Sequence, residues 1–124
     1  MAKIDSHRDL IVWQKAMDLT VEVYDLTKLL PREETYRLTS PVTRSVVSIP
    51  ANIAEGHARS TRRDYANFLA IAKGSLMETE TFLMLALRLG YVSDQQAARA
   101  MGLITEVSKM ITTIRMKLQD SEKS

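Results

Sequence analysis

Apolar residues recur at three- and four-residue steps in four stretches of the chain. The stretches cover residues 8–30, 41–55, 61–89 and 94–118. This spacing places apolar side chains on one face of a helix and leaves polar side chains on the other. The pattern therefore predicts four amphipathic helices. In the first of them the predicted buried stripe consists of Leu10, Trp13, Met17, Thr20, Tyr24 and Thr27, widened by Val23, Leu26 and Leu30.

Residues typical of helix ends support these boundaries. Three pairs have the spacing of a capping box: Ser6 with Asp9, Thr61 with Asp64, and Ser93 with Gln96. We expect Ser40, which precedes a proline, to cap the second helix. Gly56 and Gly90 suit left-handed residues after the second and third helices. Pro50 lies inside the second helix, where we expect a kink or a local widening.

No segment has the sustained two-residue alternation or the hairpin turn of a strand. Short connections favour antiparallel neighbours, so the predicted fold is all-α: an up-down-up-down four-helix bundle with a kinked second helix. We expect residues 1–124 to form one domain, in which the polar tail from residue 119 frays. The start lacks the apolar region of a secretory signal, and no apolar run approaches the roughly 20 residues of a membrane span. We expect a cytoplasmic protein without membrane contact.

The composition excludes most kinds of catalytic and metal-binding site. The chain has no Cys and only two His, which excludes disulfides, thiolate metal sites and thiol catalysis. Neither His7 nor His57 has a Glu three residues before it, so the di-metal motif of helix bundles is missing. We expect no metal, no cofactor and no catalytic residue, and therefore not an enzyme.

The positive charge is concentrated in one third of the chain. Formal net charge is only +2, but residues 35–73 hold six basic and two acidic residues. Arginines at a helix N-terminus, where unpaired N–H groups favour anions, make a plausible phosphate site. The alternative is a solvated face or ion pairs with the acidic first helix. The candidate nucleic-acid contacts are Arg44, Arg59, Arg62, Arg63 and Lys73.

Polar residues also share faces on the second and third helices. Ser48, Asn52 and Glu55 follow one another at four- and three-residue steps, and Ser75 and Glu78 lie on one face. Such faces predict a buried hydrogen-bonded network that sets helix register or a subunit contact, rather than a catalytic site. Gly74 and Ser75 lie mid-helix, where the close approach of another helix would explain small residues.

The sequence resembles the bacterial 23S rRNA intervening-sequence proteins, or S23-like proteins, over nearly its whole length. The matching residues are Asp9–Ala16, Ser48–Gly56, Arg59-Ser60, Tyr65, Phe68-Leu69, Ile71-Ala72, Gly74-Ser75-Leu76, Glu78, Glu80 and Leu89–Tyr91. The resemblance implies an antiparallel four-helix bundle that assembles into a homopentamer. It also suggests a relation to the accessory variability determinants of diversity-generating retroelements, which bind nucleic acid and partner a reverse transcriptase. For most members the biochemical role is not established.

Two segments depart from the family pattern. Pro41 and Thr43-Arg44 stand where Gln and paired Arg are usual, so one positive charge is missing, and Thr79 stands where Leu is usual. Two hypotheses about function remain. The first is an oligomer that binds nucleic acid, RNA rather than DNA, without sequence specificity. The alternative is an oligomeric scaffold for a protein partner such as a reverse transcriptase, without nucleic-acid contact.

Overall fold

The computed structural model describes residues 6–123, and the side chains of residues 6–120. The four helices are α1 (Ile11–Thr27), α2 (Ser40–His57), α3 (Arg62–Arg88) and α4 (Asp94–Lys123). A 3-10 turn at His7–Asp9 precedes α1, and a second at Arg32–Glu34 is followed by a π turn at Thr35–Thr39 that continues directly into α2. The described residues contain no strand. The all-α prediction is confirmed.

The helices form an antiparallel bundle in which each packs against its neighbours in sequence and α1 also packs against α4. The ion pairs Lys15–Glu106 at 2.7 Å and Glu22–Arg99 at 2.8 Å show the antiparallel direction of α1 and α4. The first and last helices are thereby joined, which closes the bundle. None of the helices within residues 6–123 has the length and apolar content needed to cross a bilayer.

Each helix contributes one stripe to a single core. The amphipathic pattern predicted for α2, α3 and α4 is confirmed by fully buried residues such as Ile49, Leu76 and Ile104. The predicted stripe of α1 is confirmed only for Val23 and Leu26. The side chains that α1 buries are Val12, Ala16, Leu19, Val23 and Leu26.

The error on α1 has a physical cause. This helix carries large apolar side chains on two faces, so periodicity alone does not select the buried one. Met17 and Tyr24 were predicted to be buried, yet both are exposed. The face next to the core is instead bordered by Lys15 and Glu22, whose charged ends reach partners on α4.

Three of the predicted helix ends are confirmed. At the start of α4, the Ser93 N–H donates to Gln96 Oε1 at 3.0 Å and the Gln96 N–H donates to Ser93 Oγ at 3.1 Å. Thr61 Oγ1 accepts the Asp64 N–H at 3.1 Å and so caps α3. Gly90 follows α3 with φ +80°, the left-handed conformation expected of it.

Three other expected caps are wrong. Ser6 Oγ accepts the Arg8 N–H and caps the 3-10 turn, after which α1 begins only at Ile11. Ser40 is already helical and makes no cap, because the π turn before it continues into α2. Gly56 lies inside α2 rather than beyond its end, and Gly90 is the only residue described with positive φ.

The remaining helix bounds differ by a few residues. α1 ends at Thr27 rather than residue 30, and α4 continues to Lys123. The tail predicted to fray from residue 119 is therefore helical over the described residues. α2 is α-helical on both sides of Pro50, and the widened turn lies upstream at Thr35–Thr39. The local widening was therefore predicted at the wrong position. A kink at Pro50 stays a prediction.

Candidate nucleic-acid interface

The turn between α2 and α3 brings three of the candidate arginines to one end of the bundle. α2 ends at His57, four residues follow, and α3 begins at Arg62. The Thr61 cap fixes the first turn of α3, from which Arg62 and Arg63 extend into solvent. Arg59 lies in the connecting segment between them and α2. Three guanidinium groups therefore share the N-terminal end of α3.

The close packing of α2 against α3 determines how tight this turn is. Gly56 is buried, and a Cβ built on it would lie 2.7 Å from Phe68 Cβ. Ordinary carbon–carbon contacts are about 3.5–4.0 Å. Only glycine therefore lets the two backbones approach this closely immediately before the arginines.

Arg59 is held by two contacts. Its Nη2 donates to Glu55 Oε1 at 2.7 Å, and its guanidinium carbon lies 4.7 Å from the centre of the Phe68 ring. The pair is solvent-exposed, so it contributes little to folding stability. Its consequence for the site is positional, because the Arg59 side chain has a defined place while Glu55 neutralises part of its charge.

Arg62 and Arg63 differ from Arg59 in having no such partner. Both are exposed, and neither forms an ion pair with any of the residues whose side chains are described. Positive charge is mildly unfavourable beside the positive end of a helix dipole. An anion at this end would relieve the repulsion and could accept hydrogen bonds from both guanidinium groups.

The other two candidate contacts lie elsewhere. Arg44 is exposed on α2, and its separation of 15 residues from Arg59 corresponds to about 22 Å along a helix. Lys73 lies on the side of α3 that faces α4, where its Nζ donates to Thr112 Oγ1 at 2.7 Å. The structure therefore unites Arg59, Arg62 and Arg63, which we call the arginine cluster, without Arg44 or Lys73.

The predicted polar network exists in part. Ser48 and Ser75 join α2 to α3 through their hydroxyls at 2.8 Å, and Asn52 Nδ2 donates to the Ser48 hydroxyl and carbonyl oxygens. Glu55 and Glu78 do not join it. Glu55 is bound to Arg59, and Glu78 is exposed.

A second hydroxyl pair was not predicted. Thr79 is fully buried, donates to the Ser75 carbonyl at 2.9 Å and lies 2.8 Å from the Ser45 hydroxyl. Two hydroxyl pairs therefore connect α2 and α3 at successive turns. The sequence did contain a sign of this pair, because Ser45 and Thr79 are polar residues at core positions of α2 and α3. Their pairing explains why threonine is accommodated there.

Gly74 does not have the packing predicted for it. Apart from Gly74's own helical neighbours, no described heavy atom lies within 4 Å of a Cβ built there. Ser75, its neighbour, is the residue that touches α2. The prediction that another helix approaches Gly74 and Ser75 is therefore confirmed within this chain only for Ser75, which α2 contacts.

Neither histidine is near a set of metal ligands. His7 packs edge-on against Trp13 with ring centroids 5.0 Å apart, and His57 against Tyr65 at 5.8 Å. No group of three or more His, Cys, Asp or Glu within the described part of the chain is placed to hold a metal ion. Burial raises the pKa of Tyr65 above its usual value of 10.0.

Both the sequence and the fold of this chain are similar to those of known proteins. Residues 8–113 match the family described as 23S rRNA-intervening sequence protein. The chain belongs to this family. A solved structure of a protein of unknown function from the S23 ribosomal protein family of Bacteroides thetaiotaomicron is 31% identical, with a TM-score of 0.78 over 85% of this chain and 98% of that chain. No curated protein matches this chain.

Residues of the family motif make structural contacts in this chain. Asn52 bonds to Ser48, Ile53 is fully buried, and Gly56 permits the contact with Phe68. Glu55 holds Arg59. Segment 52–56 therefore joins α2 to α3 and positions the first arginine of the cluster. The relation to retroelement determinants stays a prediction.

Proposed function

We propose that this chain is a non-enzymatic, self-associating protein that binds nucleic acid, RNA rather than DNA, through the arginine cluster. The observation that carries the proposal is the exposed pair Arg62 and Arg63 at the N-terminus of α3, without ion-pair partners among the described side chains and beside a fixed Arg59. The preference for RNA is supported by the family description, which refers to 23S rRNA, and by the ribosomal-protein family of the solved relative.

Such a cluster predicts how binding responds to sequence and to salt. Arginines bind phosphate oxygens, which are the same at every nucleotide, so affinity would depend little on base sequence. Each phosphate that is neutralised releases counterions, and the affinity therefore falls as salt rises. Self-association would repeat the cluster in each subunit and raise the local positive potential.

The experiment measures binding of a mixed-sequence single-stranded RNA at several salt concentrations. The triple variant Arg59→Ala, Arg62→Ala, Arg63→Ala should bind weakly, and the slope of log affinity against log salt should become shallower by about 2. Its matched control removes three positive charges at the opposite end of the bundle: Lys28→Ala, Arg88→Ala, Arg99→Ala. The control should bind like the wild type.

Equal loss in both triple variants would mean that net charge matters and the cluster does not. Equal binding by the wild type and the cluster variant, or no binding by either, would contradict the proposal. The same measurement with DNA of the same sequence tests the preference for RNA. Circular dichroism of each variant separates loss of binding from loss of fold.

The proposed self-association is supported by an apolar stripe on α1. Met17, Val21 and Tyr24 share one face of this helix and are 40%, 60% and 46% exposed. Side chains this large and this exposed on one face are typical of a protein contact. The number five for the subunits comes from the family resemblance. A mass measurement in solution should give an oligomer, and Val21→Glu should lower the mass; a wild-type monomer at micromolar concentration would contradict the proposal.

The same stripe favours the alternative function, a scaffold that binds a protein partner such as a reverse transcriptase without contact to nucleic acid. The two functions differ in a pull-down with candidate partners. A scaffold predicts capture that resists salt and nuclease and is lost in Val21→Glu. Nucleic-acid binding predicts capture that nuclease abolishes and that is lost in the arginine-cluster variant.

A further inference from the structure

Tyr36 is the most exposed large hydrophobic side chain of the described residues, at 88% of its full accessible surface. It lies in the π turn Thr35–Thr39, at the end of the bundle opposite the arginine cluster. An aromatic ring usually contributes its large apolar area to a core or an interface. Among the described residues, the ring of Tyr36 contributes neither to the core nor to a hydrogen bond, so it is available to a partner outside the subunit.

The backbone that carries Tyr36 is fixed. The Ser40 N–H donates to the Thr35 carbonyl across the π turn, and Thr35 Oγ1 donates to the Arg32 carbonyl at 2.7 Å. Leu38, in the same turn, is buried in the core and is only 3% exposed. With Leu38 facing inward, the turn directs Tyr36 outward. π turns occur often at functional sites.

Three arginines lie near Tyr36 in the sequence. Arg37 is adjacent to Tyr36, Arg32 is four residues before it in the preceding turn, and Arg44 is exposed two helical turns later on α2. The eight residues from Tyr36 to Arg44 correspond to about 12 Å, and the distance onward to Arg59 brings the total to about 35 Å. A solvent-exposed edge of α2 thus runs from an aromatic ring, past Arg44, to the arginine cluster.

The acidic residues at this end lie close to Tyr91. Burial raises the pKa of Tyr91, and the nearby carboxylates of Glu34 and Glu33 raise it further, while Arg37 opposes them. Glu33, Glu34 and Arg37 therefore all lie near Tyr91. Arg32 and Arg44 form no ion pair with any of the described side chains.

We propose that Tyr36 stacks on an unpaired base and that the protein therefore prefers single-stranded nucleic acid to a duplex. The proposal rests on the function proposed above, because it needs the arginines to hold the backbone. An exposed aromatic ring flanked by arginines is how single strands are bound without sequence preference. In a duplex the base faces are covered by their neighbours, so Tyr36 has nothing to stack on.

The length of this exposed edge determines how many nucleotides the RNA probe should have. At 3.4 Å per stacked nucleotide, about 35 Å spans about ten nucleotides. The probe is a 12-nucleotide RNA that cannot pair with itself, compared with the duplex that it forms with its complement. Tyr36→Ala should weaken binding of the single strand about 5- to 150-fold, the usual loss for one stacking aromatic, and leave duplex binding unchanged.

Two variants serve as controls. Tyr36→Trp keeps a stacking ring and should retain the affinity for the single strand. Leu29→Ala removes another exposed apolar side chain at the same end of the bundle. It should not change the ratio of single-strand to duplex affinity.

The possible results distinguish failure of the stacking proposal from failure of the proposed function. If Tyr36→Ala binds the single strand as tightly as the wild type, or loses single strand and duplex equally, the stacking proposal is wrong and the arginine cluster stands. A fall in oligomer mass in Tyr36→Ala, with unchanged preference for single strands, would make the residue a subunit contact. If the wild type binds neither probe, the proposed function itself fails.

Discussion

Gly56 gives the sharpest prediction for this fold, because two helix glycines should respond in opposite ways to the same change. In Gly56→Ala the new methyl group would lie 2.7 Å from Phe68 Cβ, 3.1 Å from Tyr65 Cδ1 and 3.3 Å from the Tyr65 carbonyl oxygen. In Gly74→Ala it would meet no described atom within 4 Å beyond its own helical neighbours. Both glycines are helical.

The expected magnitudes follow from two opposing terms. Alanine stabilises a helix interior by about 1 kcal/mol relative to glycine. Overpacking costs typically about 1–3 kcal/mol, and here the upper half applies, because Phe68 Cβ and the Tyr65 carbonyl are fixed to the α3 backbone. Relief requires α2 and α3 to move apart by about 1 Å. We therefore expect Gly56→Ala to lower the free energy of unfolding by about 1–2 kcal/mol and Gly74→Ala to raise it by about 1 kcal/mol.

Urea unfolding followed by circular dichroism measures both values. The protein concentration must be the same for all variants, since the stability of an oligomer depends on it. With slopes of about 1–3 kcal/mol/M, the two midpoints should lie on opposite sides of the wild type, about 1 M or more apart. Gly56→Ala at or above wild-type stability would refute the reasoning from close helix approach. Destabilisation by Gly74→Ala with a lower oligomer mass would instead place Gly74 in a subunit contact.

Three further predictions concern single interactions. Thr61→Ala should lower stability by about 1 kcal/mol, measured by the same urea titration, because α3 loses its cap; no change would mean that the cap is dispensable. A double-mutant cycle with Ser45→Ala and Thr79→Val should give a coupling of about 1 kcal/mol for the buried hydroxyl pair, and strict additivity would contradict a bond between them. Burial raises the pKa of Tyr65, which means that the folded state favours the neutral phenol. The contribution of Tyr65 to folding stability is therefore complete below pH 10 and is lost as the pH rises through the raised pKa. Tyr65→Phe should make stability fall less steeply above pH 10, and an unchanged slope would count against this cause.

The sequence alone determined the number of helices, most of their boundaries and three of the four core stripes. These properties are local: the spacing of apolar residues selects a helix face, and the pair Ser93 and Gln96 satisfies its own N–H groups without help from the rest of the chain. The stripe of α1 was placed correctly only at Val23 and Leu26, because that helix has two apolar faces and only packing against the other three decides which one is buried.

Tertiary structure decided what the functional candidates do. Ser48 meets Ser75, and Ser45 meets Thr79, because α2 and α3 have a particular axial register, which no local pattern encodes. The same register brings Gly56 against Phe68 and so fixes the turn that carries the arginine cluster. It also explains why the positive third of the sequence is not one surface. A helix spreads charges along its length and around its axis, so Arg44 and Lys73 lie apart from the three arginines that the turn collects.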